Sequence, residues 1–527
     1  MSVRGVVAAG HPLTAEAGAA ILREGGNAFD AAICAVLTSL VVESQLTALG
    51  AGGYLLAHTA AGEDHLLDFF VEAGGKGLDP ASRGDLVAVE VLFDETPQVF
   101  NIGPASCGVP GVPAGLWEAS RRFGSMPFSD LVRPAVRHAR EGVPVSAMQA
   151  YMFKVLEPVL THYSETISLY APDGRLLREG ETFRFGDLAD ALERLGSEGP
   201  DWIYRGDGAE RVCDWVCSRG GALSREDLAS YRVLDRRPVA ASYRGRQVLT
   251  NPPPSSGGVL ITYALDLLER LGDPLELADP NGLALLAEVM NEAQRARTPE
   301  FQEGLHDDGF AERFLSGPQI ELARDRIIEW LRSHERARAA GERGLGSTTH
   351  IAVLDGDGNA ASVTCSNGTG SGVVAEGTGI HLNNMLGEED LNPLGFHRHR
   401  PGTRVTSMMA PTVVLRDGRV ELALGSAGSN RLRSAILQVI RYVVDHGLDV
   451  SEAVRSPRMH YEAGVLHVEP GFSMDALDEL ERRGYHQLRW KTANLFFGGT
   501  QAVYRDPDSG ALSGAGDPRR GGAAVSV

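Results

Sequence analysis

Gly346-Ser347-Thr348-Thr349-His350-Ile351-Ala352-Val353-Leu354-Asp355-Gly356-Asp357-Gly358-Asn359 opens with two threonines behind a glycine-bearing lead-in and closes on a turn. Ala360-Ala361-Ser362-Val363-Thr364-Cys365-Ser366 follows it. Two β-prone runs around an Asp-Gly turn are the signal of a β-hairpin. Folded about Asp357, the hairpin pairs Leu354 with Ala360, His350 with Thr364 and Thr348 with Ser366. Register matters here, because a one-residue slip changes every partner. In this register the Ser366 hydroxyl lies beside Thr348, and Asn367 stands at the mouth of the same site. Hydroxyls are common in strands, so the hairpin alone leaves open whether Thr348 is an ordinary first residue or a nucleophile. The turn is not a calcium loop. An EF-hand needs Gly at its sixth position and Glu at its twelfth, and counted from Asp355 these are Ala360 and Ser366.

Upstream, Gly5 to Ala9 reads as a strand, with a helix from about Thr14. A second helix is expected after Gly25-Gly26-Asn27, with Asp30 in its first turn, where a carboxylate suits the helix dipole. Gly50-Ala51-Gly52-Gly53 ahead of Tyr54-Leu55-Leu56-Ala57-His58 marks a strand whose neighbours approach closely. As a phosphate loop it fails, having no lysine and no helix start behind it. Residues 110–345 read mostly as helix with polar turns. Within them, 251–258 is a shaped loop, because its three prolines lack the N–H and fix φ; a helix is expected from Val259-Leu260. Residues 321–343 read as a charged, solvated helix running out into Gly344 and Gly346. After the hairpin, strands are expected at 411–415, 420–424 and 501–504. Residues 425–430 turn strand into a helix over 432–446.

A chain of 527 residues can bury a large core. With 43% hydrophobic and 23% charged residues it has the composition of a soluble globular protein. A net charge of −19 argues against a nucleic-acid binder, which needs basic patches. The cysteines, Cys34, Cys107, Cys213, Cys217 and Cys365, are odd in number and suggest no disulfide framework. Cys213 and Cys217 would share a helix face but lack further ligands at zinc spacing, so free thiols in a reducing compartment are expected. The N-terminal MSVRGVVAAGHPLTAEAG has no long apolar run after its basic residue. The longest apolar stretch, 31–42, is shorter than the ~20 residues a membrane span requires. The expectation is a cytoplasmic protein that engages neither membrane nor nucleic acid.

Gly346-Ser347-Thr348-Thr349-His350, with Asp357-Gly358-Asn359 behind it, resembles the self-cleavage motif of the γ-glutamyltranspeptidase family. The similarity runs through nearly the whole chain. Gly25-Gly26-Asn27-Ala28-Phe29-Asp30-Ala31-Ala32 resembles an early helix of the family, Cys107-Gly108-Val109-Pro110-Gly111 its Val-Pro-Gly loop, and Pro254-Ser255-Ser256-Gly257-Gly258 its proline-serine loop. Leu382-Asn383-Asn384, the turn at 425–431 and Asp517-Pro518-Arg519 follow in order. The resemblance implies an N-terminal-nucleophile hydrolase with a four-layer αββα fold. It also implies self-cleavage between Ser347 and Thr348 into fragments 1–347 and 348–527 that stay together as a heterodimer, with further pairing of heterodimers left open. Cleavage frees an α-amine with an unperturbed pKa of ~7.7–8.0, suited to a general base. Thr348 then forms an acyl-enzyme with a small-molecule amide, supported by Ser366. The backbone N–H groups of Gly428 and Ser429 supply the oxyanion hole, although the second position is usually glycine. No cofactor or metal is implied.

The substrate side departs from the family pattern. Phe70 stands in Leu67-Asp68-Phe69-Phe70-Val71-Glu72 where family members carry the arginine that holds an α-carboxylate. Phenylalanine offers no charged fork. Thr406-Ser407-Met408 keeps the two hydroxyls of the family's paired serines. The pocket asparagine maps to Asn367 with a one-residue slip and otherwise to Gly368. Met385 replaces the usual Glu or Gln, and the acid that takes the substrate amine maps to Glu388, or to Glu389 with a slip. Arg400 or Arg404 offers a spatial substitute for the lost arginine, although a solvated basic loop is the plainer reading. A γ-glutamyl amide remains the default substrate. The alternatives are an amidase for another acyl group, of the cephalosporin-acylase kind, and a non-catalytic binding relative.

Overall fold

The computed structural model describes residues 4–93, 96–272, 276, 279–333 and 348–527. Two antiparallel sheets lie face to face between two layers of helices. The first has seven strands in the order Ala523–Ser526, Gly5–Ala9, Thr349–Asp355, Ala360–Ser366, Gly52–His58, Asp64–Phe69 and Leu234–Arg236. The second has six, in the order Leu512–Ala515, Gly499–Arg505, Arg419–Ala427, Thr412–Arg416, Arg246–Thr250 and Val239–Tyr243. Side chains alternate across a strand, and that alternation builds the layers. Ile351 and Val353 face outward into a core shared with the Ala28–Val42 helix. Ala352 and Leu354 face inward, against Val413, Leu415, Ala423 and Val503 of the second sheet. On the far side, Val414, Leu422 and Leu424 pack under the helices Ser256–Arg270, Pro280–Arg295 and Leu432–Val444. This is the four-layer αββα arrangement expected from the sequence.

Every residue of the Ala28–Val42 helix is buried. Its start is a capping box: Asn27 accepts from the N–H of Asp30, and Asp30 accepts from the N–H of Asn27. Asp30 also takes the Ser125 hydroxyl and the Ser125 and Met126 N–H groups, so the carboxylate is fully bonded. Each large side chain of this helix, such as Leu37, contributes about 1.5–3 kcal/mol by burial.

Among the described residues, the segment read as mostly helical holds five strands that the pattern concealed, of which Val143–Pro144 and Thr182–Phe183 pair with each other. Leu234–Arg236 joins the first sheet, and Val239–Tyr243 and Arg246–Thr250 form the outer hairpin of the second. The connection is Arg244-Gly245, with φ of 49° and 73°. It has the positive-φ geometry of a two-residue hairpin but not the usual Asn-Gly signature. Strands Val87–Phe93 and Thr96–Ile102 were also not foreseen. The helix expected from Val259 begins at Ser256. Its first turn contains Gly257 and Gly258 because the backbones of Met408 and Asn251 press so close that a Cβ would come within 1.9 and 2.1 Å of them. The charged helix is seen as Pro318–Ser333; the rest of its expected length, and Ser347, lie outside the described residues. Among the described residues no helix is long and apolar enough to cross a membrane, and no group of three or more His, Cys, Asp or Glu is placed to hold a metal. All five cysteines are free; Cys213 is buried and Cys217, at the end of its helix, is exposed.

Candidate active site

The hairpin forms in the expected register, with Leu354 opposite Ala360, His350 opposite Thr364 and Thr349 opposite Cys365. The Asp355 carboxylate organises the turn. One oxygen accepts from the N–H groups of Asp357, Gly358 and Asn359 at 3.1, 3.0 and 2.9 Å. The other takes the Asn359 amide and the Ala28 N–H, tying the turn to the start of the buried helix. At the opposite, open end, the Thr348 hydroxyl is directed at the Ser366 oxygen, 3.4 Å away. Ser366 Oγ also accepts from the Gly368 N–H at 3.1 Å. Thr348 is only 5% exposed, and Arg520 reaches its carbonyl.

The next two residues anchor the strand rather than join the chemistry. Thr349 points to the outer face and donates to Glu43 at 2.7 Å; Glu43 also takes the Thr14 hydroxyl. Burial pushes the Glu43 carboxyl above its ordinary range. His350 points between the sheets, bonded to the Thr364 hydroxyl at 2.8 Å. Its ring fills the space left by Gly425, where a Cβ would lie 2.3 Å from the imidazole. Burial lowers His350 to about 3, so the ring is neutral.

The Arg419–Ala427 strand of the second sheet ends beside Thr348. Gly428 follows with φ 120°, and Ser429 takes φ 52°, a left-handed conformation unusual for a residue with a side chain. Among the described residues neither of their N–H groups is given to an acceptor. Instead the side chains beyond are secured: the Ser429 hydroxyl donates to Asp390, and Asn430 donates to the other oxygen of Asp390 at 3.1 Å.

Thr348, Ser366, Gly368 and Ser429 open onto one cavity. Phe70, Met385, Leu391, Met408, Met409 and Leu432 give it apolar walls, and Glu388, Asp390 and Ser407 its polar points. Phe70 stacks on Tyr54 with ring centres 5.4 Å apart. Glu388 accepts from the Thr369 N–H at 3.0 Å, and burial pushes it up to about 7. Ser407 Oγ accepts from the Met409 N–H at 3.0 Å.

Two residues assigned to substrate binding from the sequence lie elsewhere. Asn367 turns its amide to the Leu382 carbonyl at 3.3 Å, leaving Gly368 on the cavity wall. Thr406 donates to the Leu391 carbonyl at 3.1 Å and is not among the lining residues. Asp390, Leu391, Met409 and Leu432 are additions. The signal for Asp390 was its place in Glu388-Glu389-Asp390, but three acids in a row do not reveal that the middle one, Glu389, is exposed.

Arg404 is no solvated loop residue and no substitute clamp. It is 5% exposed. Its guanidinium donates to the carbonyls of Phe70 and Arg232, pairs with Asp68 at 3.3 Å and Glu72 at 3.5 Å, and lies over the Tyr231 ring. All of this holds the main chain of Phe70 from behind the cavity. Arg400 is exposed.

Comparison with known proteins agrees with this geometry. The family model described as Gamma-glutamyltranspeptidase matches residues 14–527. The glutathione hydrolase proenzyme of Escherichia coli (strain K12) is 32% identical, over 98% of this chain and 90% of its own. The acylase ACY 1 proenzyme of Pseudomonas sp. (strain SE83) is also 32% identical, over 99% and 94%. The crystal structure of cephalosporin acylase from Bacillus halodurans superposes with a TM-score of 0.84 at 28% identity, covering 99% of this chain and 96% of that one. With the family model matched over residues 14–527 and relatives of 32% identity along nearly its whole length, the chain belongs to the γ-glutamyltranspeptidase family.

Proposed function

We propose that this protein is a self-processing amidohydrolase and acyltransferase in which Thr348 is the nucleophile of both reactions. In the first, Thr348 Oγ1 attacks the Ser347 carbonyl carbon. The Ser347–Thr348 C–N bond breaks as an ester to Thr348 forms, and the hydroxyl proton passes to the departing nitrogen. Water then hydrolyses the ester, leaving a carboxylate on Ser347 and a free amine and hydroxyl on Thr348. In the second, that amine takes the hydroxyl proton while Oγ1 attacks a substrate amide, and the leaving amine carries the proton away. Water or a second amine receives the acyl group.

The observation that carries this reading is the meeting of three features at one cavity: the Thr348 hydroxyl, the Ser366 hydroxyl 3.4 Å from it, and the Gly428–Ser429 turn, whose N–H groups are unbonded among the described residues and whose Ser429 lines the cavity while Gly428 does not. The left-handed φ of Ser429 supports it, because backbone strain of this kind collects at functional turns. The acyl group is γ-glutamyl or a related acyl chain, the two substrate types that the names of the relatives suggest. Incubation of purified chain, followed by a denaturing gel and N-terminal sequencing, tests the first reaction. A new N-terminus at Thr348 is expected; a chain that stays whole and inactive sinks the reading.

A further inference from the structure

We propose that the acyl pocket selects amides whose acyl group carries an amine but no carboxylate. The inference rests on Thr348 being the amide-attacking nucleophile. It sets aside both a γ-glutamyl and a dicarboxylic acyl group as best substrate.

The charge of the cavity wall carries it. Among the described residues lining the cavity there is no Lys, Arg or His, whereas Glu388 and Asp390 both border it. A carboxylate brought into such a space meets charges of its own sign and no cation to replace its water. The guanidiniums behind the wall are engaged elsewhere: Arg404 with Asp68, Glu72 and two carbonyls, Arg431 with Glu462 and the Phe496 ring, and Arg520 with the Thr348 carbonyl; the Phe70–Tyr54 stack belongs to the wall itself. The remaining electropositive feature is the turn that opens the Leu432–Val444 helix. Asp390 already occupies it through Ser429 and Asn430, which leaves no place there for a second anion. The open N–H groups of Gly428 and Ser429 belong to the reacting carbonyl and are not available to the far end of the acyl chain.

An ammonium meets the opposite situation. Glu388 keeps two bonds from Thr369 yet still borders the cavity. Burial holds it near half-protonated at neutral pH, and an arriving ammonium draws it into the charged form. Methylene groups of the acyl chain lie along Met385 and Met408, whose unbranched thioethers adapt to irregular shapes.

The test uses the processed enzyme and four p-nitroanilides: 4-aminobutyryl, butyryl, γ-glutamyl and glutaryl, each corrected for spontaneous release. 4-Aminobutyryl is γ-glutamyl without its carboxylate. Its kcat/KM is expected to exceed those of the γ-glutamyl and glutaryl compounds at least tenfold, with butyryl between. In Glu388→Gln the ratio of 4-aminobutyryl to butyryl should fall towards one. Equal or faster turnover of either carboxylate-bearing donor overturns the inference while leaving the nucleophile in place. A ratio unmoved in Glu388→Gln overturns the role of that residue. A correctly cleaved enzyme that turns over none of the four overturns the nucleophile reading itself.

Discussion

The hydroxyl oxygens of Thr348 and Ser366 stand 3.4 Å apart at the open end of a single hairpin. Six residue pairs of main-chain register separate them from the Asp355 turn that sets their distance. One local structure thus places both hydroxyls, the proposed nucleophile and its neighbour.

Thr348→Ala should yield a chain that remains whole on a denaturing gel and releases no p-nitroaniline. Thr348→Ser keeps a primary hydroxyl and should still cleave. Processing that persists in the alanine variant would remove Thr348 from the role of nucleophile.

Ser366→Ala deletes the neutral hydrogen bonds from the Thr348 hydroxyl and the Gly368 N–H, each worth about 0.5–1.5 kcal/mol, of which the first bears on the attacking group. The expected outcome is a loss of roughly two- to tenfold in kcat with KM little changed. An unchanged kcat in single-turnover measurements would show that Ser366 only fills space.

Ser429→Gly separates backbone from side chain. Glycine takes the φ of 52° without the ~1–2 kcal/mol penalty of a side-chain-bearing residue, and it keeps the N–H. Activity should stay within a few-fold of wild type. A fall of 10²–10³, the size expected for losing an oxyanion donor, would mean that the Ser429 hydroxyl and not its N–H does the work.

With its pKa raised to about 7, Glu388 gains its charge late, as pH rises through neutrality. Kcat/KM for an amine-bearing donor relative to its neutral counterpart should therefore rise between about pH 6 and 8 and level off above. Taking the ratio cancels the titration of the Thr348 amine, which acts on both donors. In Glu388→Gln the ratio should be flat with pH.

Arg404→Leu should be felt in stability, not in KM. It leaves Glu72 without its guanidinium, Asp68 with Arg236 alone, and two carbonyls without their donor, a loss of about 3–5 kcal/mol for a broken buried pair. Thermal unfolding measures it. A normal melting temperature with a raised KM would place Arg404 in the substrate site instead.

The hairpin, its register and the first buried helix were legible because each rests on local rules: alternation, an Asp-Gly turn, an Asn-Asp cap. The outer strands at 239–250 were not, because Arg244-Gly245 is an uncommon turn pair and Ser242 and Gln247 interrupt the apolar pattern. Thr348 was singled out through resemblance of its motif, whereas the cavity beside it was not legible, because its walls come from stretches far apart. Phe70, Met385 and Leu432 meet only in the folded chain. Arg404 shows the same limit: within His397-Arg398-His399-Arg400 and onward it reads as a surface cation, and only packing beneath Tyr231 reveals it as a strut.

The two sheets are interleaved across the Ser347–Thr348 bond. Residues before it supply four strands of the first sheet and two of the second, and residues after it supply the rest. Cutting that bond therefore alters the kinetic order of assembly. The precursor refolds as a single molecule. The cleaved form refolds only when two chains collide, so its melting temperature should rise with protein concentration while that of the precursor does not. The proposed cut that frees the Thr348 amine would thus, under dilution, also make unfolding harder to undo.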